Sequence, residues 1–236
     1  MKFSWAAATD TGLVRDHNED AVWPDPGSGE SDEPIVVAVA DGMGGHAGGE
    51  IASRTAIDTA SSVGGSPLVR VQAANLAVLD AAAHRPRLTG MGTTLTVVLI
   101  DPAGHAELAH VGDSRAYRFR KGALIRLTED HSYVAEMMAA GRMTPQEAEV
   151  HPYRSVVTRA VGLEPTVEVD TFHVDLVPGD RLLLCTDGLS NMVDEQAVAR
   201  ILAADEGPAS TAAALIEAAN AAGGADNTTV VVVDAR

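Results

Sequence analysis

Apolar residues in this chain gather in short runs whose length is typical of β-strands. The runs that predict strands are 3–9, 20–23, 35–40, 93–100, 106–111, 116–120, 123–127, 167–174, 181–186 and 228–233. Some of them, such as I-V-V-A-V-A at 35–40 and T-T-V-V-V-V at 228–233, are apolar at almost every position. That composition indicates strands that are covered on both faces.

Alanine-rich segments with a helical pattern separate the groups of strands. They predict helices over 50–62, 67–83, 132–140, 194–203 and 208–222. Four of these form two pairs, at 50–83 and 194–222, with strands lying between and after them. Strands that are segregated from helix pairs favour an α+β fold with two packed sheets flanked by helices, and they argue against a repeated βαβ unit.

Two polar segments interrupt this pattern. Residues 27–34 (G-S-G-E-S-D-E-P) predict a surface loop at a hairpin tip. The segment 132–162 contains a methionine-rich helix, Gly141 and then T-P-Q-E, a capping box with proline at the first helical position. Because this second segment is polar, we interpret it as a lid over the sheet; the alternative is an ordinary helical hairpin on the surface.

Composition limits the class of protein and its compartment. A chain of 236 residues with 46% hydrophobic positions is long enough for one large domain or two small ones. No apolar run reaches the length of about 20 residues that a membrane-spanning helix needs, and the first residues do not resemble a cleavable signal. The single Cys185 fits a reducing compartment, so we expect a cytoplasmic protein.

Charge limits the partners. A net charge of −16 argues against nucleic acid and anionic membranes as partners. Lys2 and Lys121 are the only lysines, and neither follows a glycine-rich loop as a phosphate-binding Walker motif requires. A nucleotide-binding loop of that type is therefore excluded.

Four aspartates stand at the ends of apolar runs, and they carry the main chemical prediction. Asp41 follows 35–40, Asp187 follows 181–186, Asp113 ends L-A-H-V-G-D, and Asp226 opens D-N-T-T-V-V-V-V. A carboxylate at the end of a strand lies at the mouth of a sheet, and several meeting there would attract cations. Mg²⁺ and Mn²⁺ prefer such oxygen ligands, so the pattern predicts a metal-dependent enzyme.

Both Asp-Gly pairs run into helices. Asp-Gly after an apolar run is usually a hairpin turn, but no second strand follows Asp41-Gly42 or Asp187-Gly188. The glycine-rich stretch after Asp41 allows close backbone approach and leaves the Gly42 carbonyl free to coordinate an ion. His46 lies in this stretch and is a candidate acid–base group; the alternative is a solvated loop histidine.

A further polar group lies near the N-terminus. Arg15 comes just before Glu19 and Asp20 in R-D-H-N-E-D-A. These acids are either surface charges or groups that orient metal-bound water, and Arg15 is suited to grip an anionic substrate through both guanidinium nitrogens. A pocket with divalent ions, an arginine and a histidine suggests hydrolysis by metal-bound hydroxide.

A series of motifs then identifies a family. In chain order these motifs are R-D-H-N-E-D-A, V-A-D-G-M-G-G-H-A-G-G-E, M-G-T-T-L, H-V-G-D-S-R, L-T-E-D-H-S, T-R-A-V-G, C-T-D-G-L and D-N-T-T-V. Together they resemble the metal-dependent serine/threonine protein phosphatases of type 2C, in their bacterial branch. The resemblance implies a four-layer αββα sandwich with two mainly antiparallel sheets, a helical flap at about 133–162, and a single catalytic domain over 1–236.

The resemblance also implies roles for individual residues. The site would hold two core Mn²⁺ or Mg²⁺ ions, with a possible third. The implied metal residues are Asp41 as the bridging ligand, Gly42 through its carbonyl, Asp187, Asp226, Glu19 and Asp20 as outer acids, and Asp113 at the third site. Arg15 would clamp the phosphate and His46 would act as general acid. His17 and Ser155 depart from the usual family residues and concern the conformation of the flap.

The function implied is hydrolysis of phosphoserine and phosphothreonine in proteins by a hydroxide that bridges two metal ions. Phosphorylated proteins, including a serine/threonine protein kinase, would be the partners of a monomeric enzyme. Two alternatives stay open: a hydrolase of other phosphomonoesters, and a non-catalytic module that binds phosphoproteins. A nuclease or other phosphodiesterase is disfavoured by the charge of −16.

Overall fold

Strands of this protein form two antiparallel six-stranded sheets in the computed structural model, which describes residues 1–44, 46–83, 85–204 and 206–236. The strands are β1 (Phe3–Asp10), β2 (Asp20–Trp23), β3 (Gly27–Ser31), β4 (Ile35–Met43), β5 (Gly92–Thr93), β6 (Leu95–Ile100), β7 (His105–Val111), β8 (Arg115–Arg120), β9 (Ala123–Arg126), β10 (Asp170–Asp175), β11 (Arg181–Cys185) and β12 (Thr228–Ala235). One sheet has the order β3-β1-β12-β11-β8-β9; the other has the order β10-β7-β6-β4-β2, with β5 paired to β4.

Helices pack on the outer faces of both sheets, and two short ones lie in the segment 132–162. They are α1 (His46–Ser62), α2 (Pro67–Ala83), α3 (Tyr133–Ala139), α4 (Pro145–Glu149), α5 (Asp187–Ser190), α6 (Glu195–Leu202) and α7 (Pro208–Ala221), with a 3₁₀ turn at Pro86–Leu88. The pair α1 and α2 packs on the sheet that contains β4, and α7 packs on the sheet that contains β12. None of the helices in the described ranges is both long enough and apolar enough to span a bilayer.

Apolar runs form the central strands because each residue has a buried face to occupy. Along β11, Leu182 and Leu184 point into the core between the sheets. Leu183 and Cys185 alternate with them and point into the core beneath α6 and α7. Since successive strand residues face opposite sides, a strand between two cores is apolar throughout. The predicted αββα sandwich is confirmed by this layering.

One predicted loop is wrong. Residues 27–31 form β3, an edge strand that pairs antiparallel with β1, from Phe3↔Ser31 to Ala7↔Gly27. The ladder is made by the backbone, so the polar side chains of the segment gave no sign of it. Gly29 also makes room for a neighbour, because a Cβ there would lie 2.8 Å from the Trp5 ring.

The segment 132–162 contains two short helices followed by an irregular return. The predicted capping box is present, with the Thr144 side chain accepting from the Glu147 backbone and Glu147 accepting from the Thr144 N–H. Backbone bonds fix the base of this flap, from Tyr133 N–H to the Val156 carbonyl at 2.9 Å and from Thr158 N–H to the His131 carbonyl at 2.8 Å.

Candidate metal centre

A cleft of about 1270 Å³ opens at one edge of the two sheets. Its lining includes all four aspartates that end apolar runs: Asp41, Asp113, Asp187 and Asp226. Asp41 lies near the end of β4 and Asp113 follows β7, whereas Asp187 follows β11 and Asp226 precedes β12. Antiparallel β11 and β12 end and begin at the same edge, which is why residues from distant segments share one cleft.

Backbone contacts fix Asp41 from the neighbouring strand. Its N–H donates to the Thr94 hydroxyl at 2.8 Å, and its carbonyl accepts from Thr94 N–H and the Thr93 hydroxyl, each at 2.8 Å. Thr94 Oγ1 also lies 2.8 Å from the Ser114 hydroxyl. The M-G-T-T-L motif therefore connects the backbone of Asp41 with the residue that follows Asp113.

Asp20 lies directly across from Asp41 in the antiparallel pairing of β2 with β4. Its Oδ2 accepts from the Thr186 hydroxyl at 2.8 Å, while Thr186 Oγ1 accepts from Thr229 N–H at 2.9 Å. The Thr229 side chain also bonds to Asp20. The other oxygen, Oδ1, is buried with no hydrogen-bond partner among the described residues. Hydroxyl groups thus fix this carboxylate, while its Oδ1 atom is left without a partner among the described residues.

Burial and mutual repulsion make this set of carboxylates costly to ionise. Burial, followed by repulsion from Asp20 and Asp187, raises the pKa of Asp41 well above its ordinary value. Burial likewise raises the pKa of Asp20 to about 7, although bonds from Thr229 and Thr186 oppose the rise. Asp41 and Asp187 lie close enough for each side chain to shift the pKa of the other. Two carboxylates this close together need a proton or a cation between them.

Asp226 is partly exposed and is paired with an arginine. The Arg15 guanidinium donates to its Oδ2 at 2.6 Å, with 52% of the arginine side chain exposed. The bond to Asp226, which outweighs desolvation, raises the pKa of Arg15. Asp187 has a similar partner, because Asn191 Nδ2 donates to its Oδ2 at 2.9 Å.

Asp113 is buried and separate from the neighbouring arginine. Burial, with repulsion from Asp187 and Asp130, raises the pKa of Asp113 to about 7. Arg115 forms a two-point contact with Asp130 instead, at 3.1 and 2.7 Å. Arg115 is therefore paired with Asp130 and not with Asp113.

The remaining predicted residues lie at the rim and the first helix. Glu19 and Gly42 line the cleft, and Gly42 N–H donates to the Glu19 carbonyl at 3.1 Å. A Cβ on Gly42 would lie 2.1 Å from the Gly49 carbonyl, so this position requires glycine. His46 begins α1, but its side chain lies outside the described residues.

The donor set suits a divalent ion, although the groups are not yet gathered around one. In the described part of the chain, no three acidic, imidazole or thiol groups are arranged so that they already hold an ion. Asp226 accepts from Arg15, and Asp187 accepts from Asn191. The mutual pKa shifts of Asp41 and Asp187 and the unpartnered Asp20 oxygen are the observations that fit a cation between these strands.

Several residues that build the cleft were not singled out from the sequence. They are Thr94, Thr186, Thr229, Asn191 and Asn227. Four of them stand within four residues of a predicted metal aspartate, in C-T-D-G-L-S-N or D-N-T-T-V, whereas Thr94 acts on Asp41 from a neighbouring strand. Proximity to a site aspartate is a signal that could have found most of them, but their partners are set by the fold.

Comparison with known proteins agrees with the motifs. The family described as Protein phosphatase 2C matches residues 14–215. The serine/threonine protein phosphatase PstP of Mycobacterium tuberculosis is 40% identical over 242 residues, which cover 98% of this chain. The chain spans 44% of the length of that relative.

Solved structures agree as well. The crystal structure of the M. tuberculosis phosphatase PstP/Ppp has a TM-score of 0.88 at 40% identity and covers 99% of both chains. The catalytic domain of a PstP phosphatase in complex with two manganese ions has a TM-score of 0.85 at 37% identity, again with 99% of both chains covered. This chain therefore belongs to the protein phosphatase 2C family of metal-dependent serine/threonine phosphatases, as the order of its motifs predicts.

Proposed function

We propose that this chain hydrolyses phosphoserine and phosphothreonine in proteins with the help of two divalent ions, Mn²⁺ or Mg²⁺. The observation that carries the proposal is the convergence of partly buried carboxylates from β2, β4 and the end of β11, where Asp20 and Asp187 raise the pKa of Asp41. Family membership, and the two manganese ions in a similar solved structure, support the same activity.

Asp41, Asp187 and Asp226 would hold the ions, with the Gly42 carbonyl as a further ligand and Glu19 and Asp20 orienting bound water. When bound, the ions supply Lewis acidity and an activated water at neutral pH. The chain itself supplies rigidity: Asp41 is fixed by Thr94, and Asp20 by Thr186 and Thr229. Fixed ligands lower the reorganisation needed during the reaction.

Arg15 and His46 would act on the substrate rather than on the ions. Arg15 lines the cleft with an exposed guanidinium, which suits a phosphate group that enters from solvent. Its bond to Asp226 would be exchanged for phosphate oxygens when Asp226 turns to an ion. His46 would give a proton to the leaving serine or threonine oxygen, which needs one because an alkoxide is a poor leaving group.

Asp113 and Asp187 would together bind a third ion, with lower affinity than the two core ions. These two residues are close enough for Asp187 to raise the pKa of Asp113. Asp113→Ala should leave the core ions and the fold intact, lower turnover, and change the metal concentration needed for full activity. Calorimetric titration with Mn²⁺ beside a rate-versus-metal curve tests this; wild-type kinetics with unchanged stoichiometry would exclude a third ion.

We further propose that residues 1–236 act as one catalytic domain, monomeric and cytoplasmic, that opposes a serine/threonine protein kinase. Nucleic acid is not expected as a partner, because the chain carries a charge of −16. The same cleft would also accept other phosphomonoesters, so substrate class needs its own test. A module that binds phosphoproteins without catalysis would not need the complete carboxylate set.

The deciding experiment is an assay of purified protein on phosphoserine, phosphothreonine and phosphotyrosine peptides, with Mn²⁺ and with chelator. Turnover of the first two that requires the metal supports the proposal, whereas turnover that survives chelator contradicts it. Melting with and without Mn²⁺ gives an independent readout. Metal bound only to the folded state should add about 2.7 kcal/mol to the free energy of unfolding at a hundredfold excess over its dissociation constant. An unchanged melting midpoint would contradict a metal site shared by these carboxylates.

A further inference from the structure

The loop that carries Arg15 has no regular structure of its own. Residues 11–19 lie between β1 and β2, and Leu13 and Val14, just before Arg15, are 69% and 67% exposed. A guanidinium on such a loop can bind phosphate in a defined place only if something else holds the backbone.

Asn227 ties both ends of this loop to the start of β12. Its Nδ2 donates to the carbonyls of Thr11 and His17, each at 2.9 Å. Its Oδ1 accepts from Glu19 N–H at 2.8 Å. The residue is 6% exposed, so every polar group of a buried amide side chain is used on this one loop.

The attachment point lies beside the candidate metal ligand. Asn227 directly follows Asp226 and donates its own backbone N–H to Asp226 Oδ1 at 2.8 Å. A second contact, from Leu13 N–H to the Gly224 carbonyl at 2.7 Å, runs in parallel. One residue thereby relates the position of the Arg15 loop to the carboxylate that Arg15 touches.

We infer that Asn227 is a positioning residue for the reaction: it holds Arg15 where the phosphate of the substrate must bind. The inference rests on the proposed role of Arg15. The side-chain amide of Asn227 is taken up by backbone groups of this loop, so its effect on turnover should pass through Arg15.

A double-mutant cycle tests this dependence. Asn227→Ala should lower kcat/KM on a phosphothreonine peptide by about 10- to 100-fold, because small misplacements of a binding group are costly. In an Arg15→Ala background the same change should cost less than about threefold, since residues that act as a unit are not additive. The Mn²⁺ concentration for half-maximal activity should stay unchanged, because the backbone N–H to Asp226 is retained and the Glu19 carbonyl keeps its bonds from Gly42 and Ser53.

Asn75 provides a matched control. It is also a buried asparagine, 2% exposed, that ties a loop through its amide: Nδ2 donates to the Glu164 carbonyl at 2.9 Å, and Oδ1 accepts from Gly162 N–H at 2.7 Å. Asn75→Ala should lower stability to a similar extent. Its effect on kcat/KM should be small and equal with and without Arg15.

Hydrogen exchange provides a readout that does not need turnover. Asn227→Ala should speed exchange of the backbone amides in 11–19 and leave 162–165 unchanged, and Asn75→Ala should do the reverse. If Asn227→Ala fails to fold, Asn227→Ser carries the same tests with a milder change.

The outcomes separate the two proposals. If the parent protein is active and Asn227→Ala lowers kcat/KM equally in both backgrounds, the positioning role is overturned. The phosphatase function would still stand. Absence of metal-dependent turnover in the parent protein would overturn the function and, with it, the role of Asn227. A strong coupling to Arg15, absent for Asn75, supports the inference.

Discussion

The two walls of the cleft are built on different principles. The sheet wall carries carboxylates whose neighbours come from adjacent strands, as Asp41 is held by Thr94 and Asp20 by Thr186. The flap wall contributes Glu149, Arg154 and Ser155 from short helices and an irregular return. Tyr153 and Val156 on the flap are 56% and 44% exposed.

This contrast indicates that the two walls of the cleft have different functions. Buried strands can hold repelling carboxylates at fixed spacing, because the backbone ladder resists their separation. A flap with few buried contacts is free to open at low cost, as lids over active sites do. Chemistry is therefore expected from the sheet wall, and control of access from the flap wall.

The largest expected effect comes from the centre of the sheet wall. Asp41→Asn should reduce metal-dependent turnover by several orders of magnitude, because the ligand proposed to bridge both ions loses its charge. Titration with Mn²⁺ by calorimetry should show weaker binding in parallel. Full activity at ordinary metal concentration would contradict the placement of the ions at this wall.

His46 should have the next largest effect, and it should depend on the leaving group. His46→Ala should slow hydrolysis of a phosphothreonine peptide by about 10²- to 10⁴-fold, the usual contribution of general acid catalysis. Hydrolysis of an aryl phosphate should fall far less, since a phenolate leaves without a proton. Equal losses on both substrates would indicate a structural role for His46.

Substitution of Thr186 tests whether the hydroxyl groups that hold the carboxylates in place also contribute to metal binding. Thr186→Val keeps the shape of the side chain and removes the hydroxyl that bonds Asp20 and Thr229 N–H. Loss of such a supporting group typically weakens metal binding by about 10- to 100-fold, and Thr186→Ser should restore most of it. Thr211→Val, which removes a buried hydroxyl near Arg181, should lower stability while leaving Mn²⁺ affinity unchanged.

The smallest effect should come from the flap wall. Thr144→Ala removes the capping box of α4, and loss of such a cap costs about 1 kcal/mol locally. We expect kcat/KM to change severalfold at most, with the Mn²⁺ dependence unchanged, as measured by steady-state kinetics at several metal concentrations. A shift in metal dependence would show that the two walls are coupled more tightly than their contacts suggest.

Much of the fold followed from side-chain pattern alone. The run 182–185 is apolar at every position because both of its faces are buried, and that is visible in the sequence. The polar strand β3 could not be recognised from side-chain pattern, because its ladder with β1 involves backbone groups that every residue carries. The short α5, which begins at Asp187, was not among the predicted helices.

The sequence by itself determined the family, the layered fold and which aspartates stand at strand ends, because each of these depends on local residue type and order. Tertiary structure alone decided the partners. Arg15 meets Asp226 across 211 positions, and Asn227 reaches the His17 carbonyl across 210. Contacts of this kind form only when β1 and β12 pair side by side, so no local pattern encodes them.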